Sequence, residues 1–261
     1  MDFTPRKYTD IMQSAIEAGY DIHPLHEWYV KLQQGSSSGV MVRHDVDRRP
    51  ENALNMALIE HGLGIRSTYY FRVVGSAFDV AKIEAIANLG HEIGYHYEDW
   101  SLAGGNAARA IELFETNLAR LRQIAPIQSI VMHGSPLSRE NNMTLWDHVD
   151  FAQYDVIDGV LSFDYANYIF FTDSGRTFGQ SKSNLRDYLG DAKWEASVQS
   201  SDDVCAYLRS RRAQLIQINV HPERWNEPGW NWSRQFAIDT AANGVKRLLR
   251  LVRRPERKHA R

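Results

Sequence analysis

An α/β architecture built on a mainly parallel sheet is the fold class this sequence predicts. Strand-like and helix-like segments alternate with little interruption, the pattern of βα units whose strands run parallel. No internal repeat, low-complexity linker or compositional break divides the chain, so one domain over 1–261 is the simplest organisation. At 261 residues, 43% hydrophobic and 24% charged, the composition is globular, and the length is ordinary for a single α/β barrel.

The elements follow in order. A helical segment over about Tyr8–Ala18 ends at Gly19, and with the loop carrying Gly35-Ser-Ser-Ser-Gly39 it makes 1–39 an N-terminal helical extension. Val40–Asp47 reads as the first strand, and Pro50 opens a helix through Ile59. The β-branched and aromatic run Ser67–Val74 is a second strand. Asp79 caps a helix through Leu89, and Gly90–His96 is a third strand. Ala107–Ile124 is a long helix with Ile111, Phe114, Leu118 and Leu121 on the helical period. Ser129–His133 is a fourth strand, broken by Gly134-Ser-Pro136, and Phe151–Phe178 holds two or three short strands. Asp202 or Asp203 caps a helix to Arg211, Gln214–Val220 is the last clear strand, and Asn231–Val252 closes the chain as a helix.

Bulk properties exclude several classes. A formal charge of -2 gives no reason to expect a nucleic-acid partner. The single cysteine, Cys205, excludes an intramolecular disulfide framework and reads as a buried structural thiol. No run approaches the roughly 18 apolar residues that span a bilayer, and the N-terminus lacks the apolar core of a signal peptide, so the cytoplasm is the expected location. Residues 245–261 form a basic amphipathic helix and tail. Such a segment can touch an anionic membrane surface, although a last barrel helix with a solvated face is the preferred reading.

Chemistry gathers at the strand ends. In Arg43-His44-Asp45-Val46-Asp47, the period of two along a strand puts Asp45 and Asp47 on one face. Two like charges that close call for a cation between them or a proton on one. The third strand finishes on His96 with Glu98 and Asp99 beyond it, the fourth on His133 and the last on His221. In parallel α/β folds the C-terminal strand ends share one rim. Asp and His donors there suit zinc first, with iron, cobalt or nickel as alternatives. A catalytic metal acidifies a bound water, a carboxylate beside it takes the proton, and a histidine protonates the leaving amine. Asp47, Asp45 and His221 fit those roles. His44 and His91 point away by strand alternation and read as structural. Of the tryptophans, Trp225 is assigned to the cleft wall against substrate, while Trp100, Trp146, Trp194, Trp230 and Trp232 read as core packing and helix docking.

Arg43-His-Asp-Val-Asp47, Gly90-His-Glu-Ile-Gly-Tyr-His96 and Asn219-Val-His-Pro222 resemble the first, second and last motifs of the polysaccharide deacetylase family, which includes carbohydrate esterase family 4. The resemblance covers about Val40–Trp225. It implies a distorted (β/α)7 barrel, Asp45 as catalytic base, Asp47 and His96 as metal ligands and His221 as catalytic acid. The implied activity is metal-dependent removal of an N-acyl group, acetyl first, from a free, nucleotide-linked or lipid-linked amino sugar, in the context of surface-polysaccharide assembly.

Two departures stand out. Position 100, where the family has a second metal-binding histidine, is Trp, so His133 is the expected third ligand and Glu98 the alternate. The family's Arg-Pro motif is replaced by Met132-His-Gly-Ser-Pro136. Asp173 and Arg176, in Thr172-Asp-Ser-Gly-Arg176, could restore the arginine that orients Asp45, with a plain salt bridge as the alternative. Two rival readings remain: a glycosyltransferase holding metal and sugar nucleotide on Asp45-Val-Asp47, and a degenerate carbohydrate-binding module.

Overall fold

A computed structural model of the chain describes residues 1–134, 140–179 and 189–252, with side chains to 245. Its strands are β1 (Ile22–His23), β2 (Gly39–Val46), β3 (Thr68–Phe71), β4 (Glu92–Tyr97), β5 (Ile127–Met132), β6 (Ile157–Asp158), β7 (Tyr168–Thr172) and β8 (Leu215–Val220). Its helices are α1 (Pro5–Glu17), α2 (Leu25–Gln33), α3 (Pro50–Gly62), α4 (Val80–Asn88), α5 (Asp99–Leu102), α6 (Ala107–Arg122), α7 (Ser201–Ser210) and α8 (Trp230–Val252).

Every strand pairing is parallel, in the order β6-β5-β4-β3-β2-β8-β7. Among the described residues no ladder joins β6 to β7, so the seven-stranded sheet curls into a distorted (β/α)7 barrel that does not close. β1 pairs Ile22 and His23 with Val40 and Met41, on the edge of β2 that β3 takes over from Arg43.

The segment read from sequence as a loop over 20–39 therefore contains a strand and a helix. β1 is only two residues long, and α2 follows Pro24 directly, too brief a signal beside the Gly-Ser run. Helix α2 caps the N-terminal mouth of the barrel. The Leu25 amide donates to Thr68 Oγ1 at 2.7 Å and the His26 amide to Glu92 Oε2 at 3.0 Å, both at strand beginnings. Trp28 lies so near Gly39 that a Cβ there would stand 2.3 Å from the indole; glycine is the residue that permits this approach.

Side-chain alternation divides the layers. On β2 and β8, Val40, Val42, Ile216, Ile218 and Val220 face outward and pack with Tyr8, Ile11, Val204 and Leu208 of α1 and α7. Inside, Met41, Tyr70, Val131, Tyr165 and Phe170 join Leu25 and Trp28 in the barrel's own core. A third cluster, around Tyr95, Tyr97, Phe114 and Trp146, seats α6 on the outer face of β4 and β5. Helix starts match local chemistry: Thr4 caps α1 ahead of Pro5, Asp79 caps α4 and Asn106 caps α6. At α7 the cap is Ser200, not Asp202 or Asp203. Asp203 instead returns the third-position bond of a capping box. No helix among the described residues is long and apolar enough to cross a membrane. Of the basic terminus, residues 253–261 and the side chains of 246–252 lie outside the described residues, and so does the expectation of membrane contact.

Candidate active site

The inward face of β2 carries Arg43 and Asp45 in sequence, and Asp47 follows one residue past the strand, its amide turned back on the Asp45 carbonyl at 3.1 Å. His96 occupies the inward face of β4, between outward Tyr95 and Tyr97. His133 leaves β5 with its amide on the Tyr97 carbonyl at 2.8 Å. These strand ends bring Asp47, His96 and His133 together, with one ligand atom of each within 4.8 Å of the others.

The tautomers are set from behind. His96 Nδ1 donates to the Val131 carbonyl at 3.1 Å, and His133 Nδ1 faces Glu98 Oε2 at 3.1 Å. In the neutral rings each Nε2 is then a lone pair. Both lie 3.4 Å from the same oxygen, Asp47 Oδ1. That oxygen is buried and makes no hydrogen bond among the described residues. Two imidazole nitrogens and an orphaned carboxylate oxygen are the donor set for a divalent transition ion, so the residues fit a metal. Burial opposes ionisation of Asp47, but His133 and His96 outweigh it and hold its carboxyl well below the usual range. Burial likewise opposes a charge on His133, yet Asp47 and Glu98 raise its pKa to about 9.

Glu98, the alternate ligand, is occupied elsewhere. Arg72 donates to both its oxygens, at 2.6 and 2.9 Å, and its remaining contact is His133 Nδ1. It orients His133, and both its oxygens are already engaged. Burial opposes its charge, but His133 and Arg72 lower its pKa to about 2. Trp100, in the place of the absent histidine, is 7% exposed, bonded to Glu140 Oε2 at 3.0 Å and stacked on His148.

Asp45 is 2% exposed and clamped. Arg43 Nε and Nη2 donate to its two oxygens at 2.8 and 2.7 Å, and Asn219 Nδ2 adds a third bond at 3.1 Å. Burial works against its charge, while Arg43 first and His96 next depress its pKa below the ordinary carboxylate value. His96 Nε2 is 4.0 Å away, which puts Asp45 beside the cluster and outside the donor set. The arginine orienting Asp45 is therefore Arg43, not Arg176. Arg176 pairs with Asp239 at 3.4 Å, and its guanidinium sits 4.8 Å over the rings of Phe3 and Trp232. Arg43 could have been found from alternation alone, since it precedes Asp45 by two on the same face.

Asp173 belongs to His221. Fully buried at the end of β7, it accepts from the His221 amide at 2.9 Å, His221 Nδ1 at 2.6 Å, Arg224 Nη1 at 2.9 Å and Trp225 Nε1 at 2.8 Å. Burial opposes its charge, and Arg224 and His221 prevail to keep it ionised. Trp225 is 2% exposed and packs edge-on to Phe3 and Tyr8, so it supports His221 from behind and is not an exposed wall of the catalytic cleft. Glu223, unremarked in the sequence, is buried 3.6 Å from the half-exposed Arg48. Burial and the charge of Asp47 push it up to about 6.

A parallel barrel with an Asp-His-His donor set, a clamped carboxylate and a carboxylate-backed histidine on its rim is the class of protein that fold and site define. No family model matches the chain, and no curated protein matches it by sequence. Among solved structures it is similar to a family 4 carbohydrate esterase from Streptomyces lividans in complex with acetate, at 14% identity over 80% of this chain and 90% of that one, with a TM-score of 0.41. It is also similar to a family 4 pseudoenzyme from Bacillus anthracis, at 11% identity over 81% of this chain, with a TM-score of 0.44, and spans 62% of that protein's length. A third is the peptidoglycan deacetylase PdaC from Bacillus subtilis, in a mutant form, at 13% identity over 82% and 97% of the two chains, TM-score 0.40.

Proposed function

We propose that this chain is a metal-dependent hydrolase that removes an N-acyl group, acetyl in the first instance, from an amino sugar. The observation that carries the reading is Asp47 Oδ1, buried without a hydrogen bond and faced by the Nε2 atoms of His96 and His133. Asp47, His96 and His133 would hold the ion, zinc before iron, cobalt or nickel. Once bound, such an ion acidifies water and polarises an acyl carbonyl.

The protein's own groups then divide the work. Asp45, kept ionised by Arg43, takes a proton from the attacking water. His221, with Nδ1 on Asp173, delivers a proton from Nε2 to the departing nitrogen, and the Asp173 charge stabilises the imidazolium before transfer. The reading extends to a single domain acting in the cytoplasm on a free or carrier-linked amino sugar within surface-polysaccharide assembly. The glycosyltransferase rival finds no support, because the Arg43 clamp leaves only one carboxylate of Asp45-Val-Asp47 open to an ion.

The test is ion content with turnover. The purified chain, loaded with zinc, cobalt or nickel, should hold about one ion per chain and release acetate from N-acetylglucosamine, its nucleotide-linked form or chitotetraose. Asp47→Ala and His96→Ala should lose both properties. An ion held without acetate release from any of these supports the degenerate module, and a chain that binds no ion defeats the hydrolase outright.

A further inference from the structure

Trp230, at 79% exposed, is the most exposed large apolar side chain among the described residues. It stands at the start of α8, just after Gly229, whose φ of 147° is open to glycine and strained for other residues. The turn fixes Trp230 on one side of a groove of about 510 Å³ between α1, α3 and the segment that follows His221. The volume lies within the range of small-ligand sites.

The lining is unusual in chemistry. Four asparagines, Asn52, Asn55, Asn226 and Asn231, contribute to it, Glu227 is its one ionisable side chain, and no lysine or arginine lines it among the described residues. Two of the amides build the wall: Asn52 Nδ2 donates to the Pro222 and Trp225 carbonyls, each at 3.0 Å, and Asn226 Oδ1 accepts from Arg49 at 3.1 Å. Asn55 and Asn231 are exposed along the rim.

We propose that this groove is a carbohydrate-binding site for an uncharged oligosaccharide, with Trp230 as stacking platform and the Asn55 and Asn231 amides as hydroxyl ligands. A pyranose offers an apolar C–H face and a girdle of hydroxyls. The electron-rich indole face meets the first, and amides, donor and acceptor at once, meet the second. The absence of a lining cation and the presence of Glu227 disfavour phosphate, nucleotide and acidic-lipid groups. The wall is continuous with the support of His221, since Trp225 lines the groove and also donates its Nε1 to Asp173. The site stands on its own lining, whether or not the hydrolase reading holds.

The experiment is calorimetric titration of the full, folded chain with chitotetraose, cellotetraose and, as the anionic probe, a heparin tetrasaccharide. A neutral tetrasaccharide should bind and the heparin fragment should not. Trp230→Ala should weaken binding about tenfold or more, with Asn55→Ala plus Asn231→Ala weakening it about threefold. His96→Ala should leave the affinity for cellotetraose, which carries no N-acyl group for the metal centre to engage, unchanged, and this separates the two sites. The proposal fails if no neutral tetrasaccharide binds at about 10 mM, if Trp230→Ala binds as tightly as the parent, or if the heparin fragment binds best. It also fails if Trp230→Ala turns a dimer into a monomer in light scattering without any saccharide binding, which would assign the tryptophan to self-association.

Discussion

Two clusters of one carboxylate and two imidazoles lie on opposite faces of β2, and only one of them has the making of a site. On the outer face, Glu60 gathers His44 and His91. Tyr8 and His44 bond Oε1, the latter at 2.9 Å, while Ser67 and Tyr69 each bond Oε2 at 2.6 Å. His91 is equally spent, with Nδ1 accepting from the Ser67 amide and Nε2 facing the Ala57 carbonyl. On the inner face, Asp47 Oδ1 has two imidazole nitrogens at 3.4 Å and a hydrogen bond from neither. Residue types are the same in kind; the difference is whether the carboxylate is satisfied, since both Glu60 oxygens are bonded even though His44 Nδ1 is left without a partner among the described residues. A carboxylate with its hydrogen bonds made stabilises a fold, while one without them is open to a ligand.

The contrast breaks most sharply under alanine. Glu60→Ala strips a buried pair of its anion and should lower the unfolding free energy by about 3–5 kcal/mol in urea titration, with ion content per folded chain unchanged. Asp47→Ala should do the reverse in function, abolishing the bound ion, and should cost less stability than Glu60→Ala, because its imidazole partners stand at 3.4 Å and not in short hydrogen bonds. Equal effects of the two on stability would erase the distinction. Next in size, His221→Ala should cut turnover about 10²–10⁴-fold while the ion stays bound, since the acid lies outside the donor set. Loss of the ion in that variant would place His221 among the ligands. Smaller again, Glu98→Ala frees His133 Nδ1 and should weaken ion affinity about 10–100-fold in chelator competition. An unchanged affinity would show that Arg72 and Glu98 merely tie down the rim.

Most of this contrast was visible in the order of residues. Strand alternation sent His44 outward and Asp45 and Asp47 inward, and the shared rim of parallel strands foretold that His96, His133 and His221 gather near them. Four features are not legible there. Arg43 lies inside the motif without an evident task, since the family's arginine belongs to a distant strand; yet the same period of two that pairs Asp45 with Asp47 applies to it. Asp173 was read with Arg176, its neighbour in sequence, whereas the turn after β7 sends Asp173 to His221 and Arg176 to Asp239. Trp225, expected at the cleft wall, is buried, and Trp230, expected to dock a helix, stands in solvent. Exposure of an aromatic is a property of how loops cross the surface, and local spacing holds no record of it. The strand β1 and helix α2 were lost because each is short and defined by its partners, β2 for one and the barrel mouth for the other.

The smallest expected effect tests why buried carboxylates differ. Glu60 faces imidazoles, and although burial opposes its charge, His44 and His91 lower its pKa to about 2. Its folded value lies below its unfolded one, so its contribution to stability is present above pH ~4.5 and is lost as pH falls toward 2. Asp99 is also buried, but its partners are the neutral Tyr95 hydroxyl at 2.6 Å and Asn117 amide at 2.8 Å. With no cation to oppose it, burial raises Asp99 to about 6. Here the folded value is the higher one. The charged form weakens the fold above pH ~6, and the penalty is relieved as pH falls from there toward the ordinary 3.8. Unfolding free energy should therefore rise slightly from pH 7 to 5 and fall below 4.5. Asp99→Asn, which carries no charge at any pH, should shrink the rise to the share of Glu223, also raised to about 6, and keep the fall. A rise undiminished in Asp99→Asn would mean that neutral hydrogen bonds alone hold the Asp99 carboxylate as well as imidazoles hold Glu60.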